Sequence, residues 1–364
     1  MAGADGAAPL SRVGSGWITR KYTVVDTTFV SSLDGIWRRE VERRSPPLAT
    51  SDITTVLESM IGQLRLLDDL EGGSAAGVGM VNEQIQTIAA YLTGGRTTSP
   101  AVRQRLILAN AQFNQLAGWM AFDAERHQTA QRYYRAGLSA ARDTDHPELS
   151  AHILSCMSYQ AVHCGKLGEA TELADAAVSA AKDAHPLMKS LSMARLAHAR
   201  AALGDEPGFR YATAETMALF SQAASASDRP DYLYWFDSPS NVHTMAGHSA
   251  LLLAGNTAAD VKSLLAEADE LLTPVTPSNV TSRPRDALFH AAWLARAHVR
   301  HGDLQRAVSI ADTALHHRGS VRSPRTFTVL KGLEQDLTTH REGRASSEVR
   351  ELRRRLRELR SSSR

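Results

Sequence analysis

A set of histidine and cysteine side chains is the first candidate for chemistry in this sequence. His152, Cys156 and His163 are spaced by four and then seven residues, which places them on one face of a predicted α-helix. Imidazole and thiolate groups bind zinc, but one straight helix cannot bring ligands two turns apart onto one ion with bonds of ~2 Å. A neighbouring helix would have to contribute, and the sequence identifies none. We therefore predict no metal site and no cofactor.

Signatures of nucleotide-binding and hydrolytic enzymes are incomplete in this sequence. The segment Gly-Lys-Leu-Gly at 165–168 lacks the first glycine and the Ser/Thr of a phosphate-binding loop. The segment Gly-His-Ser-Ala-Leu at 247–251 lacks the final glycine of a nucleophile elbow and falls in a predicted helix. We therefore expect a non-enzymatic protein without catalytic residues.

Paired helices with a regular spacing must position any other functional side chain. Small residues at 117 and 118 are expected to let a second helix, bearing Ala130 and Tyr134, approach closely. Similar predicted helix pairs follow, each with a small or polar residue at its turn. The turn residues are Glu125, Gly165, Gly204, Gly255 and Gly302, at successive spacings of 40, 39, 51 and 47 residues. Repeats of two helices at such spacings are typical of α-solenoids.

The expected fold class is all-α, a tetratricopeptide-like right-handed α-solenoid of about five helix pairs with capping helices. Residues 1–35 are expected to form a disordered or irregular arm, and residues 36–100 to form N-terminal helices that pack on the solenoid. The repeats occupy 101–340, and a basic capping helix and tail occupy 341–364. An aromatic insertion at 226–242 lengthens the interval between the third and fourth units.

Alignment of the repeats by their turns places a column of large or hydrogen-bonding side chains on the predicted concave face. The column lies six residues before each turn, with further polar side chains one helical turn to either side. Tryptophan, tyrosine and arginine are frequent at binding hot spots. We therefore predict that a peptide or protein segment binds through Gln115, Trp119, Asp123, Tyr159, His163, His198 and Arg296. The alternative is that Trp119 and Tyr159 only fill gaps between repeats.

Composition limits the partners and the compartment. The 364 residues carry a net charge of only +2, so no global field attracts nucleic acid or an acidic membrane. No window of ~18 apolar residues occurs, so we expect no membrane association. Cys156 and Cys164 would lie about 12 Å apart along one helix, too far for a disulfide, which indicates reduced thiols in a cytoplasm.

The C-terminal segment at 345–360 is predicted to be a helix with a narrow apolar stripe. Val349, Leu352, Leu356 and Leu359 are spaced as in a coiled coil. A cap on the last repeat is the favoured interpretation, and a dimer seam or a basic contact surface is the alternative. Its arginines alternate with glutamates, which is typical of a solvated helix face, with phosphate contact as the alternative.

Two stretches in the first predicted repeat resemble a known family. They are Leu-Ala-Gly-Trp-Met-Ala-Phe-Asp at 116–123 and Gln-Arg-Tyr-Tyr-Arg-Ala-Gly-Leu-Ser-Ala-Ala-Arg at 131–142, with further support at 37–44, 66–73 and 321–325. They resemble the C-terminal tetratricopeptide region of actinobacterial helix-turn-helix transcriptional regulators of the phage-repressor-like class. The resemblance covers about residues 35–340. It implies a sensor or interaction region, here without the three-helix DNA-binding domain that precedes it in those regulators.

These features predict a non-enzymatic regulatory protein that binds a peptide or protein partner in a concave groove and modulates transcription or development. Two alternatives stay open. One is a DNA-associated transcriptional regulator that contacts DNA through its basic ends or a partner. The other is a small-molecule sensor with a pocket between the aromatic insertion and the groove. The sequence does not decide the oligomeric state, and a dimer is one option.

Overall fold

The computed structural model describes residues 48–95, 97–224, 226–256, 260–273, 284–316, 321, 323–340 and 346–361. The predicted arm at 1–35 and the segment at 37–44 lie outside these residues. Within the described residues, regular structure consists of α-helices and one short 3-10 helix, Asp231–Leu233, and the β pairing is limited to an isolated bridge between Ala49 and Thr97. The predicted all-α class is therefore confirmed for this part of the chain.

Fourteen α-helices are described, and we label them in chain order. They are α1 (Ser51–Glu71), α2 (Ala75–Thr93), α3 (Pro100–Asp123), α4 (His127–Asp143), α5 (Pro147–His163), α6 (Leu167–Ala180), α7 (Pro186–Ala202), α8 (Glu206–Ala223), α9 (Pro239–Asn256), α10 (Val261–Leu272), α11 (Pro284–Arg300), α12 (Leu304–His316), α13 (Pro324–Thr339) and α14 (Ser347–Ser361). None of these helices combines the length and apolar character needed to cross a bilayer.

Six of the helices begin with a proline and pack against one another in chain order. Proline suits the first turn of a helix because its fixed φ is already helical and no hydrogen bond is lost there. We call these six helices, α3, α5, α7, α9, α11 and α13, the inner layer. The even-numbered helices from α4 to α12 each pack on the inner helix that precedes them. Each of the first five inner helices therefore has an outer helix packed against it, which holds its side chains in place.

The first hairpin, α3–α4, packs as closely as its small residues predict. Ala130 and Tyr134 are completely buried on α4. A Cβ atom on Gly118 would lie 2.5 Å from the Tyr134 ring, so the ring occupies the space that a larger side chain at position 118 would need. The contact fixes the α3 face that carries Trp119.

The tight turns follow the predicted pattern with one exception. Gly165, Gly204 and Gly302 have φ angles of 70°, 77° and 88°, in the left-handed region that glycine enters without strain. Glu125 occupies the equivalent turn between α3 and α4 with a φ of 60°. The prediction for Gly255 was wrong, because this residue lies in the last turn of α9. The repeat alignment is therefore least accurate at α9.

Helix α14 packs on α12 and α13. Val349, Leu352 and Leu356 are buried in the same core cluster as α12 and α13. The arginines of α14 meet carboxylates of the protein itself. Examples are Arg355 Nη1 to Asp312 Oδ1, at 2.7 Å, and Arg357 Nε to the Oε1 atom of the α13 glutamate at position 334, at 3.0 Å.

Candidate functional site

The inner layer encloses a concavity of about 450 Å³, which we call the central chamber. Helices α1, α3, α5, α7, α9, α11 and α13 and the aromatic insertion all contribute side chains to it. Pockets of about 300–1,000 Å³ are the usual size of small-molecule sites. The lining combines aromatic rings, imidazoles, arginines and carboxylates. It includes Arg65, Asp68, Gln115, Trp119, His152, Ser155, Cys156, Tyr159, Arg195, His198, Tyr232, Tyr234, Trp235, His248, Arg285, His290 and Arg325.

Four of the seven predicted partner-binding residues meet in the chamber. Trp119 stacks on Tyr159 with ring centroids 6.0 Å apart, and Tyr159 lies 5.1 Å from the His198 ring. Gln115 lies one turn before Trp119 and donates a hydrogen bond to the Cys156 sulfur at 3.6 Å. The aligned column therefore forms one continuous wall across α3, α5 and α7.

The other three predicted residues do not line the chamber, because each is engaged elsewhere. Asp123 is completely buried in an ion pair described below. His163 faces the turn after α3, where its Nε2 atom lies 3.3 Å from Glu125 Oε1. Arg296 contacts α13, with its Nε atom 2.8 Å from Asp336 Oδ2. The predicted position on the concave face was wrong for these three residues. Asp123 and His163 lie at helix ends and pair there, and Arg296 pairs with α13.

Two buried ion pairs close the chamber. Arg285 on α11 donates from Nη1 to Asp68 Oδ2 at 3.2 Å and to the Asp68 carbonyl oxygen at 2.8 Å. Arg325 on α13 donates from Nε to Asp123 Oδ1 at 3.0 Å. We call these four residues the clasp. Because the partners are separated by 217 and 202 positions, the clasp joins the first described helices to the last inner ones.

The two clasp carboxylates have different titration behaviour. Burial raises the pKa of Asp68 to about 6, against the opposing charge of Arg285. Burial also acts to raise the pKa of Asp123, but the charges of Arg325 and Arg285 outweigh it and hold that pKa below the usual value. Asp123 is therefore ionised at neutral pH and serves as the fixed anion of the clasp.

Asp123 is further held by groups that only a close backbone approach allows. It accepts hydrogen bonds from the Ser323 hydroxyl at 3.0 Å and from the Gly73 amide at 3.2 Å. A Cβ atom on Gly73 would lie 2.1 Å from the Met120 carbonyl oxygen, so a larger residue would push the chain away. Position 123 is thus structural.

The aromatic insertion covers one side of the chamber. Tyr234 donates its hydroxyl to Asp69 Oδ2 at 2.7 Å, which ties the insertion to α1. Tyr232 stacks on His152 of α5, with ring centroids 5.0 Å apart. Trp235 also lines the chamber. The small-molecule alternative predicted a pocket at this place, between the aromatic insertion and the groove.

Arg195 on α7 is a buried cation whose guanidinium lies within ion-pair distance of no described carboxylate. The residue is 8% exposed, and its guanidinium carbon lies 4.3 Å from the centre of the Tyr159 ring. Its Nε–H has no acceptor within the described part of the chain. Burial lowers the pKa of Arg195, but an arginine remains charged at neutral pH.

Other polar groups near Arg195 also lack partners. Among the described residues, His152 Nδ1, Ser155 Oγ and Tyr232 OH are buried and make no hydrogen bond. All three side chains line the chamber, as Arg195 does. Buried polar atoms without partners cost roughly 1–3 kcal/mol each, so a cluster of them indicates a site that a ligand completes.

A second cation, Arg65, reaches the chamber from α1. It is 6% exposed and donates from Nη2 to Gln112 Oε1 at 2.8 Å. Burial lowers the pKa of Arg65 to about 10. Because the hydrogen-bond partner of Arg65 is the neutral amide of Gln112, this contact does not neutralise the guanidinium charge.

The chamber histidines are neutral at physiological pH. Burial lowers the pKa of His152 and of His198 to about 3, and that of His290 to about 4. His198 Nδ1 shares a hydrogen bond with the hydroxyl of Ser249 at 3.3 Å, and His248 Nε2 contacts His290 Nδ1. These rings therefore offer hydrogen bonds and stacking surfaces, and the positive charge comes from arginine.

The chamber thiol is not prepared for nucleophilic chemistry. Burial raises the pKa of Cys156 to about 11, so the thiolate is not populated at neutral pH. His152 and Cys156 line the chamber while His163 does not, so the residues first weighed as a metal set are divided between two places. What the arrangement offers chemically is recognition of a ligand with polar and apolar parts.

Comparison with known proteins adds no assignment to this geometry. No protein-family model, no curated protein and no solved structure matches the chain. The function of the chamber is therefore inferred from its own residues.

Sequence reasoning missed the arginines of the chamber. Arg195 lies three residues before His198 on α7, whereas the alignment places the preceding turn four residues before the column, which in this repeat is Ala194. Arg65 and Arg325 belong to helices that no repeat alignment related to the column. Only the closure of the inner layer brings them in, and no local pattern signals that closure.

Proposed function

We propose that this protein is a non-enzymatic regulatory sensor whose central chamber binds a small organic molecule with an anionic group. The same chemistry is present in a metabolite carboxylate or phosphate and in the free C-terminal carboxylate of a short peptide. The ligand's anion contacts Arg195, and its apolar part stacks between Trp119, Tyr159 and the insertion. The compartment is proposed to be the cytoplasm.

The single observation that carries the proposal is the buried, uncompensated charge of Arg195. Taking a cation out of water costs several kcal/mol when no anion compensates it. Arg285 and Arg325, which are also buried, each have carboxylate partners. Because the two clasp arginines are paired with carboxylates and, among the described residues, the chamber arginines Arg195 and Arg65 are not, the chamber has a place for an external anion.

The size of the chamber suits a small ligand. Its volume of about 450 Å³ lies within the usual range of small-molecule sites, about 300–1,000 Å³. The peptide partner predicted from the sequence is therefore proposed here as a peptide of a few residues.

The regulatory part of the proposal rests on the predicted repeat architecture and the family resemblance. A right-handed tetratricopeptide-like solenoid is an extended array that opens and closes through small rotations between neighbouring repeats. Because the clasp joins the two ends of the inner layer, a ligand that bridges α5, α7 and the insertion would favour the closed form. Ligand binding would thus shift the population of closed molecules.

A thermal-shift screen tests the proposal. The panel contains dicarboxylates, phosphomonoesters and tripeptides with free or amidated C-termini. We expect at least one anionic compound to raise the melting temperature by a few degrees, because a ligand at ~100 times its Kd adds about 2.7 kcal/mol of stability. The free and amidated peptides separate a peptide ligand from a metabolite.

Two variants complete the screen. Arg195→Met should abolish the shift, whereas Arg210→Met should preserve it, because Arg210 is an exposed residue of α8 that pairs with Glu267 outside the chamber. Hits that are all uncharged, or that stabilise Arg195→Met as well as the wild type, would reject the anionic ligand.

A further inference from the structure

The turn between α3 and α4 differs from the glycine-containing turns within the later helix pairs. At the turns marked by Gly165, Gly204 and Gly302 the left-handed position is occupied by glycine, whereas here it is occupied by Glu125 with a φ of 60°. Glutamate enters this region less readily than glycine, asparagine or aspartate. Backbone strain of this kind is found at sites where a side chain has a function, and here it accompanies an unusual environment of the Glu125 carboxylate.

Two imidazoles face this carboxylate from different helices. Glu125 Oε1 lies 3.3 Å from His163 Nε2 at the end of α5, and Glu125 Oε2 lies 3.9 Å from His127 Nε2 at the start of α4. One ligand atom from each of the three residues lies within 4.8 Å of the other two. Among the described residues, no other trio of His, Cys, Asp or Glu meets this condition.

The distances suit a small divalent ion. A tetrahedral zinc with bonds of ~2.0–2.1 Å requires ligand atoms about 3.3 Å apart. The Glu125–His163 contact already has this length. The Glu125–His127 contact is 3.9 Å and all three ligand atoms lie within 4.8 Å of one another, so the side chains at this turn would move together by up to about 1.5 Å to hold the ion.

The neighbouring residues hold the two rings in place. Phe122 packs against both imidazoles, with ring centroids 5.8 Å from His127 and 5.3 Å from His163. Gln160 Nε2 donates to the His127 carbonyl oxygen at 3.0 Å, which ties the start of α4 to α5. Glu125 Oε1 is buried, yet it accepts no well-aligned hydrogen bond from the described residues.

We propose that Glu125, His127 and His163 form a binding site for a divalent transition-metal ion, Zn²⁺ foremost, with solvent at the fourth position. Two imidazoles and one carboxylate are a usual three-ligand set for zinc. The three side chains are between 19% and 31% exposed, so an ion can enter from solvent. The ion would fasten the α3–α4 hairpin to α5, directly behind the Trp119–Tyr159 wall that Phe122 also contacts.

Metal titration of the full, tag-free chain tests this site. Protein stripped with a chelator is titrated with ZnCl2 by calorimetry and with CoCl2 by visible absorption, which reports tetrahedral coordination. We expect one equivalent bound by the wild type. His163→Gln and Glu125→Gly should each weaken zinc binding by roughly tenfold or more, since each removes a ligand.

Glu125→Gly removes a ligand without destabilising the turn, because glycine occupies the equivalent position at Gly165, Gly204 and Gly302. Metal-free Glu125→Gly should melt at or above the wild-type temperature, yet zinc should raise the melting temperature of the wild type alone. Exposed His301→Gln is the matched control and should bind as the wild type does. The site would be overturned if the wild type takes up no zinc, or if Glu125→Gly and His163→Gln bind zinc as tightly as the wild type. It would also be overturned if only His248→Gln, a change at the His248–His290 pair of the chamber, removes binding.

Discussion

The clasp and the chamber wall each contain a buried arginine, but within the described residues the clasp arginine is paired with a carboxylate and the wall arginine is not. Arg325 is 4% exposed, and its Nε atom lies 3.0 Å from the Asp123 carboxylate. Arg195 is 8% exposed and faces the Tyr159 ring, with its Nε–H unpartnered among the described residues. The comparison separates a charge that holds the protein together from one that is available to a ligand. Arginine burial alone would not have distinguished them.

Breaking the clasp is expected to have the largest effect on stability. Arg325→Met leaves the Asp123 carboxylate buried without its cation, and breaking such a pair costs about 3–5 kcal/mol. Urea unfolding followed by circular dichroism measures the loss. The double variant Asp123→Leu/Arg325→Met should lose less than the sum of the single variants, because it leaves no uncompensated charge. Strict additivity would mean that the pair is not coupled.

Acid should act on the two regions in opposite directions. The pKa values of His152 and His198 are lowered to about 3 in the folded protein. Their contribution to stability is therefore present above the unfolded value of ~6.5 and is lost as pH falls toward 3, by about 1–2 kcal/mol each at pH 5. The pKa of Asp68 is raised to about 6, so its contribution grows as pH falls through 6 and is lost as pH rises through it.

The net expectation is a loss of stability between pH 7 and pH 5, because the lowered pKa values of His152, His198 and His290 outweigh the raised pKa of Asp68. Urea midpoints at the two pH values measure it. His152→Gln should flatten the pH dependence, since glutamine does not titrate, and His301→Gln should leave it unchanged. A wild-type protein that is more stable at pH 5 would show that Asp68 dominates.

The smallest expected effect on stability comes from the chamber arginine. Arg195→Met removes a buried charge without leaving a partner unpaired, and such replacements are neutral or stabilising by about 1–2 kcal/mol. The result should contrast with Arg325→Met in the same urea experiment. A loss from Arg195→Met as large as that from Arg325→Met would erase the distinction between the two regions.

The sequence predicted the helices and their pairing better than the closure of the fold. Alanine and glycine at helix contacts, such as Gly118 against Tyr134, follow from local packing. The proline that begins each inner helix was an additional local signal that the repeat alignment did not use. Gly255 was assigned to a turn because its spacing resembled that of the other glycines, although the helix continues to Asn256.

The candidate site was predictable only where one repeat resembles the next. Trp119, Tyr159 and His198 share a position in consecutive units, so alignment placed them on one wall. Arg296 occupies the same position in the last unit and Asp123 lies one turn beyond it in the first, yet residues of α13 pair with both. The pairing of Asp123 with Arg325, 202 positions away, depends on the cumulative curvature of the inner layer, which no short sequence pattern encodes.

The most direct test measures how much of a ligand's affinity depends on its charge and on Arg195 together. The best anionic hit of the thermal-shift screen and its uncharged amide are titrated by calorimetry into the wild type and into Arg195→Met. A hydrogen bond to a charged group contributes about 1.5–3 kcal/mol, so the wild type should prefer the anion by roughly 10- to 100-fold and the variant should not discriminate. Equal discrimination by both proteins would contradict the assignment of Arg195 as the anion's partner in the chamber.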